Sequence, residues 1–503
     1  MANKSFNTQK YAKFMATNVQ SAVENGTMLY LGLGRPQPWT NEPNDPDTPS
    51  SSTQTVDYSY WRDILGMKKI ASTDIALVIR RYNWVRGTVY TQYDDTNERL
   101  FKEQFYTVGQ SSGDGYYYVY KCLWNNNGGA SDVNPAELGS TLDPIELSAD
   151  GYVWKFMYRI DPDYYKFMTP QWIPVLTDTS VRAHAVANPG TLPIQVPLVI
   201  ERGGVGYDPS PDAVIPIDIT IDGDGSGAEI EWTTANFTSN SVSSLYLSSG
   251  GTGYSRVDDI DVAQSSASDD AVVRAIIPPY VNHGYNPAAE LGAAAFVIST
   301  NIEFSEDDKL TTVNDYRRIL LIKDPLLANG SSANGVFYTQ TYDCVLSSNT
   351  GVFQPDDTIT VDNETYPVTG RVVDVVTANG DNVLRMTDVS DKGRTAAFVS
   401  GDTIETSNGV SGVLGTITNP QLTFFSGEIL YVNHHTTIER DPNQVEEFKI
   451  VFSYGTGVSS EDFSSASASP SASPSLSRSL SVSPSSSESP SASVSPSASV
   501  SPS

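Results

Sequence analysis

The sequence predicts a mainly β protein: a β-sandwich core with a few helices, small inserted β modules and a disordered Ser/Pro-rich tail. Three observations support this fold class. Val, Thr, Ile and Tyr alternate with polar residues over much of the chain of 503 residues. The 37 Gly and 30 Pro residues supply many turns. Two stretches also repeat internally at the length of one small β unit.

The acidic composition narrows the classes of partner. The net charge is −28, and it all lies on the first 463 residues, because one Arg and one Glu cancel in the tail. Nucleic acids and anionic membranes are bound by clustered Lys and Arg, so the sequence predicts neither partner. It also contains no apolar run long enough for a membrane span. Two cysteines, Cys122 and Cys344, and a polar N-terminus without a signal peptide favour assembly in a reducing cytoplasm.

The first elements follow from hydrophobic periodicity. Residues 7–24 predict the clearest helix, which ends at Asn25-Gly26. A buried strand at 28–33 follows the helix. The predicted apolar face of the helix consists of Tyr11, Phe14, Met15, Val19 and Val23.

Residues 30–39 indicate a buried strand that ends abruptly. Gly32 and Gly34 allow close backbone approach, and two prolines, the second of them Pro38, stop further ladder pairing. Trp39 then anchors the loop on a core. Taken alone, this stretch is typical of an ordinary strand exit. The residues that mark it as a core motif are Tyr30, Gly34, Arg35, Pro38 and Trp39.

Four further stretches follow in order. They are residues 118–123, residues 150–158 with Gly151 and Trp154, residues 426–431 with Gly427 and Tyr431, and residues 445–452. The ordered set of five resembles one family, the baseplate wedge protein of T-even-type contractile-tailed phages, which is found there as a dimer. The resemblance covers about residues 10–200, 280–328 and 422–454.

The resemblance implies a structural virion protein that acts by binding and not by catalysis. It implies a β-sandwich core, a homodimer and contacts to neighbouring wedge proteins of the same phage. It also implies a location in the tail baseplate after assembly in the host cytoplasm, and a part in the rearrangement that triggers sheath contraction. No catalytic residue, cofactor or metal is expected.

The chain departs from that family in two insertions and in its tail, and these regions are open to host-surface contact. Loops tolerate such insertions because closure entropy grows slowly with loop length. The predicted boundaries are 1–199, 280–328 and 422–463 for the three parts of one core domain, 200–279 and 329–421 for the inserted β modules, and 464–503 for the tail, whose Ser, Pro and Ala cannot bury enough apolar area to fold.

Each insertion contains a repeat. In the first, the Gly-Gly-x-Gly-Tyr motif of residues 203–207 recurs at 250–254. In the second, a Phe-Asp-Thr-Ile pattern beginning at Phe353 recurs 45 residues later at Phe398, and Gly370 aligns with Gly415 at the same spacing. Two copies favour compact β modules over an extended solenoid.

Candidate chemistry is sparse. Asp222, Asp224 and Ser226 resemble the start of a calcium loop, but position twelve is Thr233 where Glu is needed. A Gly-rich hairpin turn explains this stretch better. Neither a zinc spacing nor a Gly-x-Ser-x-Gly elbow is found, so the sequence predicts no enzyme.

The best candidate interface is the run from Arg80 to Trp84. Arg80, Arg81, Tyr82 and Trp84 place cations beside aromatics after a buried strand, a composition enriched in protein interfaces. A capped strand end explains the same residues equally well. The alternative function is a phage adhesin or carbohydrate-binding decoration protein, because tandem β modules, aromatics and a Ser/Pro linker fit that class too.

Overall fold

The chain is mainly β, as the sequence predicts, in a computed structural model that describes residues 9–40, 46–50, 53–147, 149–211, 213, 216–312, 314–361, 367–378, 380–393, 395–454 and 469–471. The helices are α1 (Gln9–Glu24), α2 (Gln54–Arg62), α3 (Thr179–Ala187) and α4 (Pro287–Glu290). Short 3-10 turns lie at Ser72–Asp74, Leu100–Lys102, Pro135–Leu138, Pro162–Phe167 and Thr234–Asn236.

The described residues form 28 strands. In order they are β1 (Leu29–Gly34), β2 (Ile64–Ile70), β3 (Ile75–Arg80), β4 (Tyr106–Gln110), β5 (Tyr117–Trp124), β6 (Ile145–Glu146), β7 (Val153–Ile160), β8 (Trp172–Pro174), β9 (Val199–Arg202), β10 (Asp218–Gly223), β11 (Ser226–Glu231), β12 (Phe237–Thr238), β13 (Ser241–Val242), β14 (Tyr246–Thr252), β15 (Val257–Ala263), β16 (Val272–Arg274), β17 (Ala295–Glu303), β18 (Asn314–Lys323), β19 (Phe337–Thr339), β20 (Tyr342–Asn349), β21 (Thr358–Val361), β22 (Thr369–Ala378), β23 (Asp381–Ser390), β24 (Thr403–Thr406), β25 (Ser411–Thr418), β26 (Glu428–Arg440), β27 (Val445–Ser453) and β28 (Ser469–Ser471).

Two antiparallel sheets share one hydrophobic core and form the sandwich. Sheet one has the order β19-β2-β1-β18-β26, and sheet two has the order β28-β27-β17-β3-β8. Leu31 of β1, Ile319 of β18, Ile298 of β17 and Ile450 of β27 are all buried in the core between them. Strands from the beginning, middle and end of the described chain therefore bury one another.

A third sheet, of order β4-β5-β7-β6, is packed on both faces. One face shares a core with Ile79 of β3 and Ile173 of β8 from sheet two. The alternation of apolar residues at 152–160 predicts a strand with one buried face. Strand β7 forms there, but both of its faces are buried. The prediction is wrong in this respect because Trp154 and Phe156 lie under a second aromatic cluster on the other face.

Helix α1 lies where the sequence predicts it, but its predicted face is partly wrong. Val23 is buried and Val19 is packed on the sandwich core, whereas Tyr11 and Phe14 are 50% and 57% exposed. The small residues Ala12 and Ala16 face the protein instead. Small side chains let the helix backbone approach β3 and β17, and this requirement overrides the hydrophobic pattern.

Strand β26 carries an irregularity that hydrophobicity alone does not predict. Leu430 is expected to be buried against N-terminal strands, yet it is 47% exposed. The register moves from Leu321 opposite Tyr431 to Ile322 opposite Ile429, so Leu430 is the extra residue of a β-bulge. The bulge explains why this one apolar residue of the strand faces outwards.

The region of the first insertion has its own core, built from two-stranded ladders. Strand β10 pairs with β15 and β11 pairs with β14, so the turn at residues 224–225 does not close a hairpin as predicted. It connects strands of two different ladders. The repeated tyrosines, Tyr207 and Tyr254, are both buried in this core.

The region of the second insertion is a closed barrel of order β20-β23-β22-β21-β24-β25. The two copies of the repeat contain the same turn before their first strands. Asp357 accepts from the amide of Gln354 at 2.8 Å, and Asp402 accepts from the amide of Val399 at 2.8 Å. The predicted equivalence of Gly370 with Gly415 is wrong. Gly370 lies opposite Ile359, and the residue opposite Ile404 is Gly412, because the second copy has a shorter loop before its last strand.

The barrel joins the rest of the chain through two adjacent segments. Gln340 is buried, donates to the carbonyl oxygen of Leu422 at 3.1 Å and accepts from the Leu422 amide at 3.2 Å. The side-chain oxygen of Gln421 accepts from the Thr339 amide at 2.9 Å, and the backbone amide of Gln421 donates to the carbonyl oxygen of Thr339 at 3.2 Å. The entering and leaving segments of the barrel are thus held together by two glutamine side chains and a backbone hydrogen bond.

The prediction of a disordered tail at 464–503 falls outside the described residues, apart from the backbone of Ser469–Ser471. That three-residue segment pairs with the edge of β27.

We expect Ile450→Ala to lower the unfolding free energy of the sandwich by about 2–5 kcal/mol, because it removes a buried side chain between the two sheets. Leu430→Ala, on β26 of the opposite sheet, is the control for an exposed apolar residue, and its effect should stay within about 0.5 kcal/mol. Chemical denaturation followed by tryptophan fluorescence measures both. Equal losses would show that β27 does not close the core.

Candidate functional site

The exit of β1 places a buried charge in the interior. Gly34 lies opposite Arg318, and a Cβ at Gly34 would lie 2.8 Å from Oδ1 of Asp63 and 3.1 Å from the Arg318 Cβ. Only glycine fits there without displacement. The amide of Arg35 donates to the carbonyl oxygen of Asp63 at 2.8 Å, which fixes the chain at the point where the proline-rich segment begins. By contrast, a Cβ at Gly32 would lie 3.6 Å from the Leu320 side chain, which is an ordinary contact distance. The predicted close approach of another backbone is therefore not the reason for glycine at this position.

Arg35 connects the sandwich to the barrel. Its side chain is 3% exposed. Its Nε donates to Oδ1 of Asp315 on β18 at 2.7 Å. Both of its terminal nitrogens donate to Asp356 of the barrel, Nη2 to Oδ2 at 2.8 Å. Planar, bidentate pairing of this kind fixes orientation as well as distance.

Arg371 on β22 completes the connection from the barrel side. Its Nη1 donates to Oδ1 of Asp356 at 3.0 Å, and its Nη2 donates to the carbonyl oxygen of Arg35. On the sandwich side, Arg318 pairs with Asp63, and Arg317 lies 2.6 Å from Asp315. We call the whole set the arginine–aspartate cluster; it consists of Arg35, Asp63, Asp315, Arg317, Arg318, Asp356 and Arg371.

The cluster holds four guanidinium groups and three carboxylates close together, so each charge depends on its neighbours for compensation. Burial raises the pKa of Asp63 to about 6, although Arg318 acts in the opposite direction. Burial also acts to raise the pKa of Asp356, but hydrogen bonds and charge from Arg35 and Arg371 outweigh it and lower that pKa. Burial and the charge of Arg35 lower the pKa of Arg371. Removing one partner would leave a buried charge without compensation.

Asp356 shows that the cluster is specific to one half of the barrel. It has a φ of 72°, a left-handed conformation that a residue with a side chain rarely adopts. The equivalent residue of the second copy is Gly401, and the residue equivalent to Arg371 is Val413, which lies opposite Thr403 as Arg371 lies opposite Thr358. Only the first copy therefore contains the pair of Asp356 and Arg371, and the backbone of Asp356 is strained.

Aromatic rings cover one side of the cluster. Trp39 stacks on His434 with ring centroids 4.5 Å apart, and its Nε1 donates to the carbonyl oxygen of His435 at 2.7 Å. The Arg318 guanidinium lies 4.3 Å from the ring centroid of Tyr60 and donates to Nε2 of His434 at 2.9 Å. Burial lowers the pKa of His434 to about 4, which keeps its ring neutral as an acceptor.

A second buried cluster lies in the third sheet. Lys121 Nζ is 3.0 Å from Nδ1 of His283 and 3.2 Å from Oε2 of Glu290, and it lies 3.8 Å from the ring centroid of Tyr93. Burial, and then the charge of Lys121, lower the pKa of His283 to about 3. The amide of Gly284 donates to the other oxygen of Glu290 at 2.7 Å. This cluster fixes the segment before α4 on β5.

The remaining core-motif residues lie at strand ends and turns. Gly427 has a φ of 75°, and a Cβ there would lie 2.4 Å from the carbonyl oxygen of Lys323, so it permits close approach of β26 to the end of β18. Gly151 lies in the turn before β7. Tyr30 donates to the carbonyl oxygen of Gly335 at 2.9 Å.

The other motif residues differ in burial. Trp154 is fully buried and stacks on Tyr152. Tyr431 is half-buried against Phe452, and Pro38 is exposed beside the buried Trp39.

The predicted interface residues lie together at the end of β3. The Arg80 guanidinium stacks on Trp172 at 4.4 Å, and Arg81 lies 5.5 Å from the Tyr117 ring. Tyr82 packs beside Tyr106 at 5.2 Å. Trp84 is half-buried and donates to Ser131 Oγ at 3.1 Å. Arg80 is the most accessible of the four candidates, and their role in an interface stays a prediction.

The calcium-like turn around Asp224 is held by hydrogen bonds within the protein. Asp224 accepts from the amides of Ser255 at 2.9 Å and Arg256 at 3.0 Å, and these bonds, with that from the Ser255 hydroxyl, lower its pKa to about 2. Its oxygens thus anchor the turn. In the part of the chain that the structure describes, no group of three or more His, Cys, Asp or Glu residues is arranged to hold a metal ion. None of the helices described there combines the length and apolarity that a membrane crossing needs.

Comparison with known proteins adds no relative: no family model matches the chain, and no curated protein matches it significantly.

Sequence reasoning finds Arg35 but misses its partners. Asp63, Asp315, Asp356 and Arg371 are separated by up to about three hundred residues, and nothing local distinguishes them from other charged residues. One signal was present: the repeat aligns Asp356 with Gly401, a charged residue where its copy has glycine. The triad of Lys121, His283 and Glu290 gives no such signal.

We expect Asp356→Gly to weaken the attachment of the barrel by about 2–3 kcal/mol, because Arg35 and Arg371 both lose the carboxylate that they share. The loss is moderate because that carboxylate is partly exposed to solvent. Adding Arg371→Val, which copies Gly401 and Val413 of the second repeat, should restore at least about 1 kcal/mol. Chemical denaturation and limited proteolysis between the barrel and the sandwich measure this coupling.

The matched control for that experiment is Asp388→Ala, which removes the ion pair with Arg62 across the same interface. Both of its side chains are more than a third exposed, so its effect should stay below about 1 kcal/mol. Strictly additive losses for Asp356→Gly and Arg371→Val would contradict the cluster as one cooperative unit.

We expect the free energy of unfolding to fall as the pH is lowered, because His283 must stay neutral in the folded protein. An unfolded histidine titrates near 6.5, whereas the folded pKa is about 3, so between these values the unfolded chain binds more protons. Stability should fall on acidification by at most about 1.4 kcal/mol per pH unit. His283→Gln should flatten this slope in thermal melts between those pH values. His184→Gln, at a more accessible site, is the control, and an unchanged slope in His283→Gln would refute the assignment.

Proposed function

We propose that this chain is a structural subunit of a contractile-tail baseplate and acts as a wedge component through subunit–subunit binding. One observation carries the proposal. The five stretches that resemble the wedge family occupy β1, β26 and β27, which surround the sandwich core, and β5 and β7, which pair in the third sheet and share a core with β3 and β8 of sheet two. Residues from both ends of the resemblance thus form continuous cores, while the two insertions project their own cores from that frame.

The buried and partly buried ion pairs suit a protein that transmits force between partners. The arginine–aspartate cluster fixes the barrel to the sandwich. Arg274 pairs with Asp94 at 2.8 Å and lies near Asp95, which fixes the first inserted region to the loop before β4. Charge pairs held in defined geometry resist sliding of one unit over another better than apolar contact alone, because their energy depends on direction as well as distance. A subunit that takes part in a concerted rearrangement needs such rigid units.

The proposed partners are a second copy of this chain and neighbouring wedge subunits. An isologous dimer is the commonest closed arrangement of identical chains. Arg80 stacked on Trp172, with Tyr82 beside it, offers the aromatic and cationic surface that interfaces favour. The acidic charge of the chain favours neighbours with basic surfaces.

Cryo-electron microscopy of the intact particle tests the location. We expect the chain in the baseplate ring around the tail tube, with the sandwich facing its neighbours in the ring. Density for it only on a fibre or capsid surface would instead support the adhesin alternative. The complementary measurement is assembly in a strain whose gene for this chain is deleted, where the expected result is loss of complete baseplates.

Light scattering on the purified chain tests the dimer. We expect a dimer at micromolar concentration, with at least about 1,000 Å² buried in total at its interface. Arg80→Glu should weaken dimerisation because it reverses an exposed charge without disturbing the core. Lys69→Glu, a charge reversal elsewhere on the surface, should leave it unchanged. A monomer that also stays unpaired in the particle would refute the dimer.

A further inference from the structure

A solvent-accessible cleft lies at the end of the third sheet. Its volume is about 360 Å³, within the range of small-molecule sites. It lies between the β5–β7 ladder and the segment that leads into α3. The side chains that matter for its chemistry are Tyr118, Ser140, Arg159, Asp161, Tyr164 and Asp178. None of them belongs to the arginine–aspartate cluster or to the predicted interface.

The polar groups of this cleft are held in place before any ligand binds. Tyr118 lies directly opposite Arg159 in the ladder, and its hydroxyl donates to Oδ2 of Asp114 at 2.7 Å. The Arg159 guanidinium lies 4.5 Å from the ring centroid of Tyr116, and its Nε donates to Oδ1 of Asp161 at 2.9 Å. Polar groups on a rigid sheet lose little conformational entropy on binding. A ligand that forms only weak contacts can therefore still bind measurably.

An aromatic wall stands beside these groups. Tyr164 lies in the 3-10 turn Pro162–Phe167 and is 39% exposed. Tyr164 lines the same, mainly polar cleft as the guanidinium and carboxylates. An aromatic surface combined with fixed donors and acceptors matches a sugar ring, whose C–H face packs on an aromatic ring while its hydroxyls form hydrogen bonds at the edge.

The charges of the cleft select among sugars. Asp161 and Asp178 contribute two negative charges against the one positive charge of Arg159. Arg159 is already paired with Asp161, so it does not offer an uncompensated cation to an acidic ligand. A carboxylated or sulfated sugar would meet net repulsion. We propose that this cleft binds one neutral hexose residue of a glycan.

This activity goes beyond the proposed role in the baseplate and does not rest on it. It would give a tail subunit a weak contact with a glycan-coated surface, and many copies in a ring would strengthen that contact by multivalency. The test uses the purified full chain, so a result on sugar binding stands whether or not the chain is found in the baseplate.

Saturation-transfer NMR with the methyl glycosides of glucose, galactose, mannose and N-acetylglucosamine tests the proposal, with sialic acid as the anionic comparison. We expect saturable binding of at least one neutral glycoside with a Kd of roughly 1–10 mM. Tyr164→Ala should raise that Kd about tenfold by removing the aromatic wall. Arg159→Ala should weaken binding too, through the loss of its donors and of the partner of Asp161.

Tyr280→Ala removes a tyrosine that is 87% exposed outside the cleft, and it should leave the Kd unchanged. Circular dichroism of each variant separates lost binding from lost fold, and Tyr164→Phe, which keeps the ring, should bind nearly as the parent does. No saturable binding of any neutral glycoside up to about 20 mM would overturn the proposal. So would binding that Tyr164→Ala does not alter, or a preference for sialic acid.

Discussion

The placement of the barrel on the sandwich depends on the bidentate pairing of Arg35 with Asp356. Arg35 follows directly after β1, a central strand of sheet one, and Asp356 precedes β21 of the barrel. Because Arg35 is buried, its charge must be neutralised wherever the barrel lies, and Asp356 and Asp315 do so from two sides. A displacement of the barrel would separate these charges inside the protein, which is costly, so the geometry of the pair defines the orientation of the whole unit.

The local features around Arg35 follow from this requirement. Gly34 makes room for Asp63 and Arg318, and the residue equivalent to Asp356 in the second repeat is a glycine that makes no such pair. The stack of Trp39 on His434 covers the polar groups, and the neutral ring of His434 accepts from Arg318. Two copies of one β unit have therefore diverged: one carries the charges that attach the barrel, and the other presents Val413 at the equivalent position.

Buried or partly buried charge recurs as the means of attachment elsewhere in the chain. The triad of Lys121, His283 and Glu290 fixes the segment before α4, and Arg274 fixes the first inserted region through Asp94. Apolar cores hold each sheet and each inserted unit together, but such contacts are non-directional. Charge pairs add direction, and this division of roles suits a protein proposed to work as a rigid part in an assembly.

The sequence by itself determined the mainly β class, helix α1 and the strand and exit at residues 28–39, because each depends on local periodicity, glycine or proline. It also revealed both repeats. Only the tertiary structure decided which face of α1 is buried, since Ala12 and Ala16 allow close packing that Tyr11 and Phe14 do not. The bulge at Leu430, the equivalence of Gly370 with Gly412 and the partners of Arg35 were likewise outside the reach of local pattern. Each depends on strand register or on contacts between residues far apart in the chain, and no local pattern encodes those distances.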